Sequence, residues 1–78
     1  MKIKLKGVKR IPITGEYIRL DSLLKFASIA SSGGEAKALI QNGGISVGGE
    51  HCTMRGKKVR PGDIVRYGKS ALIITRAH

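Results

Sequence analysis

The stretch from Ser31 to Gly49, S-S-G-G-E-A-K-A-L-I-Q-N-G-G-I-S-V-G-G, constrains the fold more than any other part of the chain. Ser32 followed by Glu35 three residues on is a capping box, in which the hydroxyl accepts an orphan helix N–H and the Glu side chain reaches back. Ala36, Leu39 and Ile40 then fall at i, i+3 and i+4 and give one buried helix face. Gly43 supplies the left-handed residue that ends the helix. Ile45 and Val47 share one side of a following strand, and Gly48-Gly49 turns the chain back. Lys37 and Gln41, one turn apart, are left facing away from the core.

An earlier helix is predicted over Leu20 to Ser28, where Leu20, Leu23, Leu24 and Ala27 recur as an amphipathic stripe. Asp21 and Lys25 are expected to pair across one turn on its wet side. Ile29-Ala30 is the short joint, so the two helices form a compact pair with Leu23, Leu24, Leu39 and Ile40 at its centre.

Strands are predicted around this pair. Met1 to Lys6 alternates strictly, with Ile3 and Leu5 on one face and Lys2, Lys4 and Lys6 on the other. Those lysines either protect a sheet edge or contact a polyanion. Gly7 to Gly15 reads as a connector with a short strand around Ile11 to Ile13. Glu50 to Met54, Ile64 to Tyr67 and Ala71 to Thr75 complete the set, with Pro61-Gly62-Asp63 and Gly68-Lys69-Ser70 as turns. The expected fold is α+β: two packed helices against a mainly antiparallel sheet of about four to five strands, the N-terminal strand lying near the C-terminal hairpin.

With 78 residues, no internal repeat and no long linker, the chain reads as one domain. Its single cysteine excludes an internal disulfide, the cytosol is the expected compartment, and a monomer is expected. Neither a signal-peptide pattern nor an apolar run of membrane-spanning length is visible. Fifteen Lys and Arg against five Asp and Glu give a net charge of +10, which favours nucleic acid as partner through counterion release. No basic amphipathic helix points to a membrane surface. Of the three aromatics, Tyr17, Phe26 and Tyr67, Phe26 is assigned to the core. Few rings then remain for stacking bases, which points to recognition of the shape and backbone of folded RNA.

No enzymatic constellation emerges, and no cofactor is implied. His51 and Cys52 are adjacent, so on a strand they face opposite ways and cannot act as base and nucleophile; Cys52 reads as a small hydrophobe. Together with His78 they offer too few ligands for a metal. Anion-binding features are clearer. Ser32, Gly33 and Gly34 place backbone N–H groups at a helix N-terminus, although Glu35 there opposes an anion and an ordinary cap explains the same residues. Lys37 is a cation near a helix start, where the dipole gives it no support. Arg55, Lys57, Lys58 and Arg60 bring four charges into six residues.

From Ile18 to Tyr67 the chain resembles the S-four (alpha-L) RNA-binding module. The matching residues are Arg19-Leu20-Asp21, Ser32, Ala36-Lys37-Ala38-Leu39-Ile40, Gly43, Ile45, Val47, Gly49 and Gly62-Asp63-Ile64-Val65, in order and at the family's spacing. The Arg that commonly follows the serine is Gly33 here, and the Asn of the V-N-G turn is Gly48. S-G-G-x-A-K and the R-G-K-K run resemble a subgroup of very small, stand-alone bacterial proteins. The resemblance implies a core module over residues 18–67, with residues 1–17 and 68–78 as flanking strands. It further implies a non-catalytic protein that binds structured RNA, ribosomal or transfer, acting alone or with the ribosome. Arg19, Ser32, Gly33, Lys37 and Gln41 would form the helical part of the interface, and Arg55, Lys57, Lys58 and Arg60 would lie beside it. The alternative is a protein-interaction or ribosome-assembly adaptor in which RNA affinity is weak or lost.

Overall fold

In the computed structural model, which describes residues 7–77, the chain runs through seven strands and two helices. In order they are β1 (Val8–Ile13), β2 (Ile18–Arg19), α1 (Leu20–Phe26), α2 (Gly33–Gln41), β3 (Ile45–Val47), β4 (Glu50–His51), β5 (Lys58–Val59), β6 (Ile64–Tyr67) and β7 (Ser70–Arg76). Five of the strands form one sheet in the order β1-β7-β6-β3-β4. Its pairs are antiparallel except β1 with β7, which is parallel. β2 and β5 form a separate antiparallel ribbon. The α+β architecture, with its helix pair and mainly antiparallel sheet, is the one expected.

The segment Met1 to Lys6 lies outside the described residues. Among the described residues, β1 lies beside the C-terminal hairpin, and it is longer than the short strand anticipated there. Ile11 and Ile13 alternate inward and are buried, whereas Pro12 between them is exposed. β1 pairs only with β7 among the described residues, and an edge position tolerates a proline that lacks an N–H.

α1 stops at Phe26, two residues before the predicted end, because Ser28 adopts a left-handed conformation with φ 63°. The amide of Ser28 donates to the carbonyl of Lys25 (3.0 Å) and that of Ile29 to Leu24 (2.9 Å). This is a Schellman ending, and it makes the joint to α2 compact. Phe26, on the last turn of α1, lies off the stripe of Leu20, Leu23, Leu24 and Ala27 and is 61% exposed, not part of the core. α2 begins at Ser32, whose hydroxyl accepts the Glu35 amide at 3.1 Å. The Glu35 carboxylate reaches one residue further back than a standard capping box, accepting from the amide and hydroxyl of Ser31 (2.7 and 2.8 Å). Gly43, with φ 81°, follows the last turn as expected.

Gly48 and Gly49 both have positive φ, 62° and 90°, as a two-residue turn between β3 and β4 requires. Gly48 therefore serves this turn as well as the Asn it replaces. β4 is shorter than predicted: it ends at His51, and a turn then begins at Met54, closed by the Lys57 amide on the Met54 carbonyl (3.1 Å). The Pro61-Gly62 turn forms as expected, with Asp63 donating its amide to the Arg60 carbonyl (3.0 Å) and accepting the Arg60 amide on its side chain (2.9 Å).

One core joins the elements. Leu20, Leu23 and Leu24 of α1 meet Ala36 and Ile40 of α2, together with Ile45, Val59, Val65, Leu72 and Ile74 from the strands. Leu39 is only half-buried and packs against this cluster from its margin, so the helix pair is centred on Leu23, Leu24 and Ile40. Ile40→Ala should then cost about 2–5 kcal/mol, and Leu39→Ala distinctly less. Urea unfolding midpoints of the two variants check this ranking.

Candidate nucleic-acid interface

The ribbon of β2 and β5 brings together residues far apart in sequence. Ile18 faces Val59 and Arg19 faces Lys58 in its register. The fully buried Val59 anchors the ribbon to the core, and strand alternation leaves Lys58 exposed. Main-chain bonds extend the contact into α1, from the Leu20 amide to the Lys57 carbonyl (2.9 Å) and from Asp21 to Arg55 (3.0 Å). The start of α1 is thereby stitched to the basic loop.

Asp21 completes that junction. It is the one buried charged residue among the described residues, at 8% exposure. Oδ2 lies 3.2 Å from Arg19 Nη2 and 3.4 Å from Arg55 Nε, and Oδ1 accepts the Ser22 amide at 2.8 Å. A buried carboxylate is tolerable only when paired and hydrogen-bonded in this way. The predicted pairing of Asp21 with Lys25 does not form. Asp21 turns towards Arg19 and Arg55 instead, and Lys25 is left exposed. The sequence signal for this was present: Asp21 borders the apolar stripe three residues before Leu24, which places it against the core and away from solvent.

Each guanidinium touches the carboxylate on one side and keeps about half its side chain exposed, 53% for Arg19 and 47% for Arg55. The Arg19 guanidinium also lies over Gly56, where an added Cβ would sit 3.6 Å from Nη2. Both therefore present planar donors to solvent in fixed positions, the geometry that suits phosphate. Lys58 extends the row, its Nζ 5.0 Å from the centroid of the Tyr17 ring. Lys57 is exposed within the same loop, and Arg60 is exposed beyond β5, next to the Pro61-Gly62 turn.

The remaining predicted residues lie on α2. Lys37 and Gln41 are exposed one turn apart on its outer face. Ser32 and Gly33 occupy the helix start, where the Ser32 oxygen is already used for capping. The Glu35 carboxyl is held below its ordinary range, first by the Ser31 amide and then by its hydroxyl. Because the folded value is lowered, this contribution is present above the ordinary carboxylate range and is lost as the pH falls through the folded value. At neutral pH this end of α2 thus carries its own anion, which weighs against a phosphate there.

His51 and Cys52 make separate contacts. His51 Nδ1 is 3.1 Å from the Gly43 carbonyl oxygen, while Cys52 is half-buried against the core with its Sγ directed to the Met54 carbonyl (3.7 Å). His78 lies outside the described residues. Among those described, no three His, Cys, Asp or Glu side chains cluster as metal ligands would, and no helix is long and apolar enough to cross a membrane.

A family model described as S4 domain matches residues 11–75 of the chain. The chain is also 38% identical over 53 residues to the small ribosomal subunit protein uS4 of Novosphingobium aromaticivorans. That match covers 68% of this chain and 26% of the relative, so the chain spans about a quarter of that protein's length.

Proposed function

The chain belongs to the S4 domain family, and we propose that it is a non-catalytic, cytoplasmic RNA-binding protein that recognises structured RNA of the ribosomal or transfer type. The observation that carries this reading is the junction at Asp21. It holds Arg19 and Arg55 half-exposed beside Lys57 and Lys58, making a preorganised cationic surface out of two separate sequence segments. The net charge of +10 supplies the general attraction, and this junction supplies the geometry. The name of the matched relative, a ribosomal subunit protein, supports a partner in or near the ribosome.

In this reading Arg19, Arg55, Lys57 and Lys58 form the centre of the interface. Lys37, Gln41 and Arg60 flank it, and Ser32 and Gly33 serve mainly as the start of α2. Each phosphate contact removed should flatten the log–log dependence of affinity on salt by a little under one unit. Lys57→Ala combined with Lys58→Ala is therefore expected to flatten it by about 1.5–2 units. Lys9→Ala combined with Lys69→Ala, an equal change of charge outside the ribbon, should matter less. Titration of an RNA hairpin and a duplex DNA at several salt concentrations decides the matter. Equal damage by the two pairs would mean diffuse attraction, and equal affinity for the two nucleic acids would remove the preference for folded RNA.

Gly33 favours a second reading, in which the protein is an assembly adaptor with reduced RNA affinity, because the Arg common to the resembling family is missing there. The position itself is open: a Cβ on Gly33 would meet nothing within 4 Å. Gly33→Arg should therefore fold normally and, if the start of α2 faces RNA, should tighten binding to the hairpin. Unchanged affinity would leave α2 outside the interface and confine it to the ribbon.

A further inference from the structure

Tyr17 and Phe26 are large apolar side chains that the core does not absorb, 43% and 61% exposed. With Pro12, Ile13 and Ile18 they line an open hollow of about 380 Å³. Phe26 reaches this position because the buried stripe of α1 passes through Leu23, Leu24 and Ala27 instead. Ile18 is the first residue of the ribbon and directly precedes Arg19, so the hollow adjoins the cationic surface. Lys58, paired with Arg19 across the ribbon, carries its ammonium over the Tyr17 ring at the edge of the same hollow.

We propose that this hollow receives one unpaired nucleobase of the bound RNA, with Lys58 at its rim taking that nucleotide's phosphate. The proposal rests on the RNA-binding reading and adds to it a requirement for unpaired bases. A base is flat and π-rich, and it stacks on aromatic side chains irrespective of its identity. The ammonium has three donors, so contact with the ring leaves it able to donate to a phosphate oxygen. Charge argues against a second copy of this chain as occupant, since that would bring another +10 to a surface already rich in cations. Aromatic rings beside phosphate-binding cations select RNA loops and bulges, whose bases are free, over an uninterrupted helix.

The test uses the full chain and three RNA probes with one common stem. The first carries a loop of randomised unpaired nucleotides, the second has the same loop built from abasic nucleotides, and the third is an uninterrupted duplex. The abasic loop keeps every phosphate and removes only the bases. The intact loop should bind roughly 5- to 100-fold more tightly than the abasic one. Phe26→Ala and Tyr17→Ala should each remove much of that advantage while leaving affinity for the abasic loop almost unchanged, and Tyr17→Phe should retain it. Thermal unfolding of each variant and its sedimentation accompany the titrations. Equal binding of the two loops, or a Phe26→Ala variant that keeps the full preference, would overturn the base site and leave phosphate recognition by the ribbon standing. A loss shared equally by all three probes, with a lowered unfolding midpoint, would overturn it in favour of a structural role for the rings. A change in oligomeric state without a change in loop preference would overturn it in favour of self-association. Failure of the unaltered chain to bind any of the probes would instead remove the RNA-binding reading on which the proposal rests.

Discussion

The carboxylate of Asp21 lies almost buried between two guanidinium groups, one from the residue pair leading into α1 and one from the loop before β5. Much of the surface chemistry depends on this contact. An unpaired carboxylate at 8% exposure would carry a large desolvation cost, so Asp21 holds together the loop that delivers Arg55 and the strand that delivers Arg19. Main-chain hydrogen bonds from Leu20 and Asp21 to the same loop fix its path as well as its charge. A small domain with a strong positive excess tends to repel itself, and a buried anion between Arg19 and Arg55 reduces that repulsion locally.

The helix pair supports this junction from beneath. Leu20, Leu23 and Leu24 are fully buried, so α1 cannot rotate without exposing them, and Asp21 is fixed in direction by its neighbours on the helix. The Schellman joint at Ser28 and the Ser32 cap define where α1 stops and α2 begins. The five-stranded sheet contributes Ile45, Val65, Leu72 and Ile74 to the same core, while Val59 ties the small ribbon into it. The cationic surface is thus carried on short strands and a tight turn, each anchored by at least one buried side chain or main-chain bond.

Local features with strong periodicity were legible in the sequence. The Ser32 cap, the Gly43 stop, the Gly48-Gly49 turn and the Pro61-Gly62 turn all formed where residue type required them. Three features differ from the sequence expectation. Asp21 borders the apolar stripe, which signals its burial, but helical spacing says nothing about the loop from residues 55–57 that brings Arg55 to it in place of Lys25. Phe26 has the chemistry of a core residue, but helical spacing puts it off the stripe of Leu20, Leu23, Leu24 and Ala27, and it is exposed. Leu39 follows the helical spacing but lies at the margin, because Ala36 and Ile40 take the central positions. The basic run itself was visible, whereas the partner that organises it lies in the R-L-D segment on the other side of the ribbon.

If Asp21 acts by positioning Arg19 and Arg55, removing its charge has a consequence opposite in sign to simple electrostatics. Asp21→Asn raises the net charge by one unit, and on charge alone a more positive protein binds RNA more tightly. The decisive measurement is the affinity of Asp21→Asn for an RNA hairpin over a range of salt, at a temperature where circular dichroism shows the variant folded. Weaker binding than the unaltered protein, despite the added charge, is the result that positioning predicts. Binding as tight or tighter at every salt concentration would contradict it and reduce the surface to unorganised positive charge.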